Sequence, residues 1–233
     1  MKLYLKNARA SFAQSLFEAR PPKDGKGKAK YGLTGILEKG TAAFAGDANP
    51  EGPAGQAKGY KFGDVKVEMS KAIIAVAKEK WGEAATETVD AAGNKVMAPA
   101  YMVVIQLLKA QNRLPIHDGA EKANYPGYLG NMYVNGSNEI RPVIRNKNGS
   151  QLEAKDGVIY SGCYVDMVLD IWAQDNQFGR RVNASLLAVT FAGDGERLAG
   201  GASATDDDYA AIPQDAQAKA AASGGGAGSL FSV

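Results

Sequence analysis

The sequence has only one cysteine and one histidine, Cys163 and His117, in 233 residues. A single cysteine cannot form a disulfide within the chain, which is typical of proteins that work in a reducing cytosol. The same scarcity excludes the usual zinc ligand sets, and most catalytic schemes that need a histidine base, unless His117 itself serves. Few groups are therefore left for metal binding or catalysis.

Long apolar runs are also missing. No run of about 18 apolar residues, the length that indicates a membrane-spanning helix, occurs in the sequence. The first residues lack the apolar region of a signal peptide. Apolar residues make up 45% of the chain, but alanine inflates that share, so we expect a moderate core that needs no disulfides. No membrane partner is predicted.

Charge is unevenly distributed along the chain, although the net charge is only +2. Residues 1–40 have a net charge of +6, whereas residues 193–233 have a net charge of −4. A basic body with an acidic tail is typical of nucleic-acid-binding proteins. A solvated surface with an irregular terminus has the same pattern, so the charge asymmetry alone does not show that the chain binds nucleic acid.

Residues 158–191 form the most informative stretch, because two β-rich runs flank a turn at residues 175–179. This pattern predicts a long β-hairpin. The first run alternates between an apolar face and a mixed face. The apolar face consists of Ile159, Cys163, Val165, Met167, Leu169 and Ile171, with Ser161 among them. The mixed face consists of Tyr160, Tyr164, Asp166, Val168, Asp170 and Trp172.

The mixed face is unusual because it combines large aromatic rings with polar groups. On the return strand Arg181 joins this face, and Phe178 and Arg180 lie at the hairpin tip. Bases of a single nucleic-acid strand stack on exposed rings while arginine and lysine meet the phosphates, at about 1–3 kcal/mol per stacked base. An equally open interpretation is that the rings lie beneath a helix or a second sheet layer.

Shorter elements surround this hairpin. We expect a loop or insertion at residues 40–59, and a helix at residues 70–85 with Ser70 as its N-cap. Further strands are predicted at 3–12, 31–37 and 130–136, an edge strand at 140–145, a short extended piece at 62–68, and a second helix at 101–111. The strand at 130–136 would expose Tyr133, and Arg141 and Arg145 lie on the edge strand.

A basic loop at residues 23–30 includes Lys28 and Lys30. It lacks the spacing and the GK[ST] ending of a Walker A loop, so it does not predict nucleotide triphosphate binding. A flexible basic loop can contact phosphates, but a solvated hairpin tip has the same composition.

Five segments together resemble a known family. They are ASF at 10–12, LPIHDG at 114–119 with Glu121 and Lys122, residues 125–133, YSGCYV at 160–165 and DDDY at 206–209. In this order they resemble tailed-phage single-stranded DNA-binding proteins, a family formerly classed as a domain of unknown function. The resemblance covers roughly residues 1–40 and 113–209.

The resemblance implies an OB fold that coats single-stranded DNA without catalysis in phage replication or recombination, in the cytoplasm of the infected host. The predicted fold class is mainly β with a helical insertion: an OB-like five-stranded barrel with long hairpins and a disordered C-terminal tail. We expect the barrel domain at 1–202, its insertion at about 68–112 and a flexible tail at 203–233.

The predicted partner is single-stranded DNA, bound largely without sequence preference and without a cofactor or metal. Replication or recombination proteins that bind the tail, and a second copy of the chain, are further candidate partners. The candidate DNA-binding residues are Tyr133, Tyr160, Tyr164, Trp172, Phe178, Arg180, Arg181, Arg141, Arg145, Lys122, Tyr125, Tyr128, Lys28 and Lys30.

Two other functions stay open. Asp166 and Asp170, with His117 and Asp118, could hold Mg²⁺ in a nuclease-like site. A structural virion protein is the other alternative, because β-barrels and sandwiches serve there as well.

Overall fold

The structure, a computed structural model, describes residues 1–22, 25, 27–46, 61–90 and 92–198. These residues belong to one compact unit, residues 1–198. The predicted tail at 203–233, the domain boundary at 202 and part of the basic loop lie outside the described residues. No helix within the described ranges is long and apolar enough to cross a membrane.

Within these ranges the chain forms strands with a few helices, and residues 119–122 and 154–156 form short 3₁₀ turns. The strands are β1 (Lys2–Ser11), β2 (Tyr31–Leu37), β3 (Ala42–Ala45), β4 (Gly63–Asp64), β5 (Ala85–Val89), β6 (Lys95–Pro99), β7 (Ile116–Asp118), β8 (Met132–Asn138), β9 (Val143–Arg145), β10 (Tyr164–Asn176) and β11 (Gly179–Gly193). The helices are α1 (Gln14–Phe17), α2 (Val65–Trp81) and α3 (Ala100–Ala110).

Five long strands form the central sheet in the order β8-β2-β1-β10-β11, with β7 and β9 at its edges. The sheet curves until its two ends meet: Asn138 Nδ2 on β8 donates a hydrogen bond to the Leu186 carbonyl on β11, at 3.2 Å. Inside this closure Gly136 leaves room for Leu169 and Leu186, because a Cβ there would lie 2.8 Å from Leu169. The predicted mainly β, OB-like barrel with a helical insertion is therefore confirmed.

The long hairpin is confirmed, with β10 and β11 paired from Val165↔Phe191 to Asn176↔Gly179. On β10 the apolar face enters the core, since Val165, Met167, Leu169 and Ile171 are all at most 1% exposed. The alternation fails before residue 164, where Ile159 and Cys163 are buried outside the strand. Strand β1 contains a bulge between Leu5 and Ala8, which keeps both of these residues in the core.

The first long helix starts earlier than predicted. Asp64, and not Ser70, is the N-cap of α2: its carboxylate accepts the backbone N–H groups of Lys66 at 2.9 Å and Val67 at 3.1 Å. The extended piece expected at 62–68 is therefore limited to β4. Helix α2 packs Met69, Ile73 and other apolar residues into the core.

The insertion is less helical than expected. Between α2 and α3 lies a separate two-stranded sheet, β5 and β6, paired through Ala85↔Pro99 to Val89↔Lys95. Residues 42–45, predicted as loop, form β3 because they pair with β1. The expected edge strand is confirmed as β9, which runs parallel to β11.

Candidate nucleic-acid interface

A groove crosses the outer surface of the barrel where β8 meets β11. Its volume is ≈ 560 Å³. The segment between α3 and β7 forms one wall, because the Arg113 carbonyl accepts the Val182 N–H at 3.2 Å and the Pro115 carbonyl accepts the Asn135 N–H at 3.3 Å. These bonds tie the wall to both strands, so the groove is built on rigid elements.

The groove brings together one exposed ring, several amides and three cations. Three of the sequence-predicted residues line it: Trp172, Arg181 and Lys30. The other polar lining residues are Asn112, Arg113, His117, Asn135, Ser137, Asn138, Glu139, Gln174, Asn183 and Ser185. This composition suits a flexible polyanion that also carries flat, partly apolar groups.

Trp172 supplies the flat surface. It pairs with Asn183 across the hairpin and is 40% exposed, which is high for so large a ring. Its indole Nε1 donates to Ser185 Oγ at 2.9 Å, which fixes the orientation of the ring. A base that stacks on this ring would find its platform already in place.

Positive charge surrounds this ring. Arg113, Arg181 and Lys30 line the groove together with one carboxylate, Glu139. The Glu139 carboxylate is ion-paired with Lys28 at 3.1 Å, which offsets its charge. The groove is therefore positively charged overall, as phosphate binding requires.

Arg113 depends on a glycine in the hairpin turn. Its Nη1 donates to the Arg180 carbonyl at 3.3 Å, and a Cβ at position 179 would lie 2.7 Å from that nitrogen. Gly179 also has a φ of +88°, a conformation that other residues rarely adopt. Glycine at this position therefore serves both the turn and the close approach of the arginine.

His117 forms part of the groove wall. Its ring stacks on Tyr133 with centroids 5.0 Å apart, and Nδ1 contacts the Asn112 side-chain oxygen. Burial lowers the pKa of His117 below its ordinary value, Glu121 opposes this effect, and Lys122 and Arg181 add to it. The ring is thus held in the neutral form.

A second cluster of rings continues the surface from β8 towards the end of β1. A smaller cavity of ≈ 240 Å³, lined by Phe12, shares Asn135 with the groove. Phe12 is 39% exposed and Tyr125 52% exposed, and their rings meet edge to face at 5.6 Å. Phe12 has a φ of +57°, a strained conformation for an aromatic residue that turns its ring outward.

Two predicted contact residues of this cluster are buried. Tyr133, expected to be exposed, is only 3% exposed, and Tyr128 is 1% exposed. The loop that contains the 3₁₀ turn at 119–122 covers them, and the Tyr133 hydroxyl donates to Glu121 Oε2 at 3.2 Å. Burial, with Glu121 nearby, raises the pKa of Tyr133 to about 12. These two rings support the surface and do not form it.

The ammonium of Lys122 contacts three rings of this cluster. Its Nζ lies 4.2 Å from the Tyr133 ring centroid and 5.1 Å from those of Phe12 and Tyr128. The ammonium is therefore oriented by cation–π contacts beside the exposed ring of Phe12.

Tyr160 and Tyr164 are half-buried and lie at the opposite end of the hairpin from Trp172. Tyr164 precedes Trp172 by eight residues on β10, which places it about 26 Å away. Its hydroxyl donates to Glu38 Oε2 at 3.0 Å. Tyr160 donates to the Gly195 carbonyl at 2.9 Å, and Arg197 covers its ring at 4.3 Å. Neither ring is therefore fully open to solvent, and Arg197 already occupies one face of Tyr160.

The remaining predicted cations are scattered. Arg180 is ion-paired with Asp175 at 3.0 Å and Arg141 with Glu153 at 2.8 Å. Arg145 is exposed on β9. Phe178 at the hairpin tip is 76% exposed, so it is accessible but outside the groove lining.

The proposed nuclease carboxylates do not assemble. Asp166 accepts the Asn7 N–H at 2.9 Å, and Asp170 is ion-paired with the N-terminal ammonium at 3.1 Å. Asp118 caps the 3₁₀ turn by accepting the Ala120 N–H at 2.9 Å. No group of three or more His, Cys, Asp or Glu side chains that could hold a metal occurs in the part of the chain that the structure describes.

The DNA-binding residues predicted from the sequence do not include Arg113, Phe12 or the amides of the groove. Arg113 lies three residues after the end of α3 and directly precedes the LPIHDG segment, so its position near a helix end was the available signal. Phe12 stands in the ASF segment, but nothing in the sequence predicts its strained backbone. The amides come together only because the barrel closes between β8 and β11.

Comparisons with known proteins identify the family of this chain. The family described as "Enterobacter phage Enc34, ssDNA-binding protein" matches residues 50–220. "Putative protein p50" of Acyrthosiphon pisum secondary endosymbiont phage 1 is 32% identical over 209 residues, which cover 90% of this chain and 92% of that protein.

Solved structures resemble the chain as well. The single-stranded DNA-binding protein from bacteriophage Enc34 in complex with ssDNA matches with a TM-score of 0.56 and 23% identity over 85% of this chain and 89% of that chain. Another structure of the Enc34 protein matches with a TM-score of 0.51 and 24% identity over 89% of each chain. These likenesses establish the fold. Because the family match spans most of the sequence, this chain belongs to the Enc34 ssDNA-binding protein family.

Proposed function

We propose that this chain binds and coats single-stranded DNA, largely without sequence preference, in phage DNA replication and recombination. The observation that carries the proposal is the groove in which the exposed ring of Trp172 lies among Arg113, Arg181 and Lys30. Bases stack on such a ring, and the backbone phosphates meet the cations. The Enc34 protein, which shares this fold, carries ssDNA binding in its name.

We propose that the DNA strand runs along the two adjacent cavities. Asn135 lines both of them, so an extended strand can pass from the exposed Phe12 and Tyr125 rings to Trp172 along the outer face of β8. Lys122 stands beside the first rings and Arg181 beside the last. Rings with cations beside them give affinity for any base, because each base offers a flat face.

Catalysis is not part of the proposal. The carboxylates that a magnesium site would need are engaged with backbone and terminal N–H groups. The chain is therefore proposed to act by coating single-stranded DNA, in the cytoplasm of the infected host. Recruitment of replication or recombination proteins by residues 203–233, and self-association, remain separate proposals.

Retention of the purified chain on poly-dT across a salt series tests the function. The expected result is retention that weakens steeply with salt, because phosphate contacts release counterions. Assembly into large particles without poly-dT affinity would favour the virion role. Magnesium-dependent loss of the bound strand would favour a nuclease.

A further inference from the structure

A third cluster of rings, with several lysines, lies away from the groove, beside the N-terminal half of β1. We call it the lysine–phenylalanine platform. It comprises Tyr4, Lys6, Phe44, Lys61, Phe62 and Lys71. A cavity of ≈ 410 Å³ lies here, lined in part by Phe44, Phe62, Lys61 and Lys71.

The rings of the platform form a row. Tyr4 pairs with Phe44 across β1 and β3, and their ring centroids are 6.2 Å apart. Phe44 and Phe62 follow at 6.3 Å. The Lys6 ammonium lies 5.2 Å from the Phe62 ring centroid. The three rings are partly buried and stand beside exposed lysines, so aromatic surface and positive charge occur together here, as they do in the groove.

Glu68, the carboxylate that lines this cavity among the described residues, already has partners. Glu68 is 7% exposed, its Oε2 accepts the Ala45 N–H at 3.0 Å, and its Oε1 is bound by Lys71. The hydrogen bonds from Lys71 and Ala45 lower the pKa of Glu68, so it stays ionised inside the protein. Lys6 and Lys61 are exposed at the rim, and neither forms an ion pair within the described ranges.

The platform and Trp172 share one face of the sheet. Tyr4 pairs with Val168 on β10, and paired residues of antiparallel strands point to the same side. Trp172 lies four residues further along β10, about 13 Å away. Asp170 stands between them, but its charge is offset by the N-terminal ammonium at 3.1 Å. Between Val168 and Trp172 on β10, no carboxylate is therefore left without a partner within the described part of the chain.

We infer that the lysine–phenylalanine platform is an additional contact surface for the same single strand of DNA, which extends its footprint beyond Trp172. This inference rests on the proposed function. A nucleic acid fits better than an acidic peptide because the platform continues the face that holds Trp172. A strand that reaches both surfaces stays within the range of about 4–16 nucleotides per OB fold.

The test compares variants on a labelled oligo-dT of about 30 nucleotides, longer than one OB-fold site. Lys6→Ala combined with Lys61→Ala is expected to reduce the slope of log affinity against log salt by about 1.4, since each phosphate contact on a single strand contributes roughly 0.7. Phe62→Ala is expected to weaken binding roughly 5- to 150-fold. Lys155→Ala, which removes an exposed lysine elsewhere, is the matched control and should keep the wild-type slope.

The outcomes separate the two proposals. If the wild-type chain fails to bind oligo-dT, the proposed function itself fails. If the wild type binds and Trp172→Ala weakens binding, while the lysine pair and Phe62→Ala match the control, only the additional contact surface is refuted. Should Phe62→Ala lower the melting temperature, the salt slope of the variant that combines Lys6→Ala and Lys61→Ala becomes the test of the inference. Binding of polyglutamate that depends on Lys6 and Lys61, with an unchanged DNA slope, would also overturn the inference.

Discussion

Replacing Trp172 by alanine removes the flat surface at the centre of the groove. The ring is 40% exposed and holds one hydrogen bond, from Nε1 to Ser185 Oγ at 2.9 Å, so its removal leaves the core intact. Loss of one base stack costs about 1–3 kcal/mol, which corresponds to a dissociation constant raised roughly 5- to 150-fold.

Fluorescence anisotropy of a labelled oligo-dT measures this change directly. Trp172→Phe is the matched control, because it keeps an aromatic face and removes only the indole N–H. We expect this variant to bind close to wild type and Trp172→Ala to bind much more weakly. Equal affinities for the wild type and a folded Trp172→Ala protein would refute the assignment of the groove.

Four further predictions concern other parts of the molecule. Arg113→Ala with Arg181→Ala should lower the salt slope of binding by about 1.4, as two lost phosphate contacts require, in filter binding at several salt concentrations. Tyr164→Phe should leave the affinity for oligo-dT unchanged in the same assay, since its hydroxyl binds Glu38. Asp64→Ala should lower the free energy of unfolding by about 1 kcal/mol in urea, because α2 loses its N-cap. Burial lowers the pKa of His117 below 6.5, so the neutral ring stabilises the fold above pH 6.5 and that stability is lost as the pH falls through the lowered pKa. The free energy of unfolding in urea should be measured for the wild type and for His117→Gln from pH 6.5 downwards. It should show this loss of stability in the wild type alone.

Period-two alternation predicted the hairpin and its buried side chains. Met167 and Leu169 are buried as expected. They lie on the face of β10 that points into the core, and their partners on β11 are buried as well. The same alternation could not tell whether the opposite face is covered. Tyr164 and Trp172 share that face, yet Tyr164 is half-buried against Glu38 and Trp172 is open.

The candidate site was harder to predict than the fold because it depends on barrel closure. Trp172 and Arg181 were predicted from one hairpin, but Arg113 and Asn135 reach them only through hydrogen bonds between distant segments. Tyr133 was misjudged because its outward position on β8 is covered by a loop that follows β7. Such loops leave no periodic signal in the sequence.

The most direct measurement of the central claim uses tryptophan fluorescence. The chain has two tryptophans, so a Trp81→Phe variant leaves Trp172 as the single indole reporter. Oligo-dT is predicted to quench this emission saturably, and salt is predicted to restore it. Unchanged Trp172 emission while a labelled oligo-dT demonstrably binds the same variant would contradict the account.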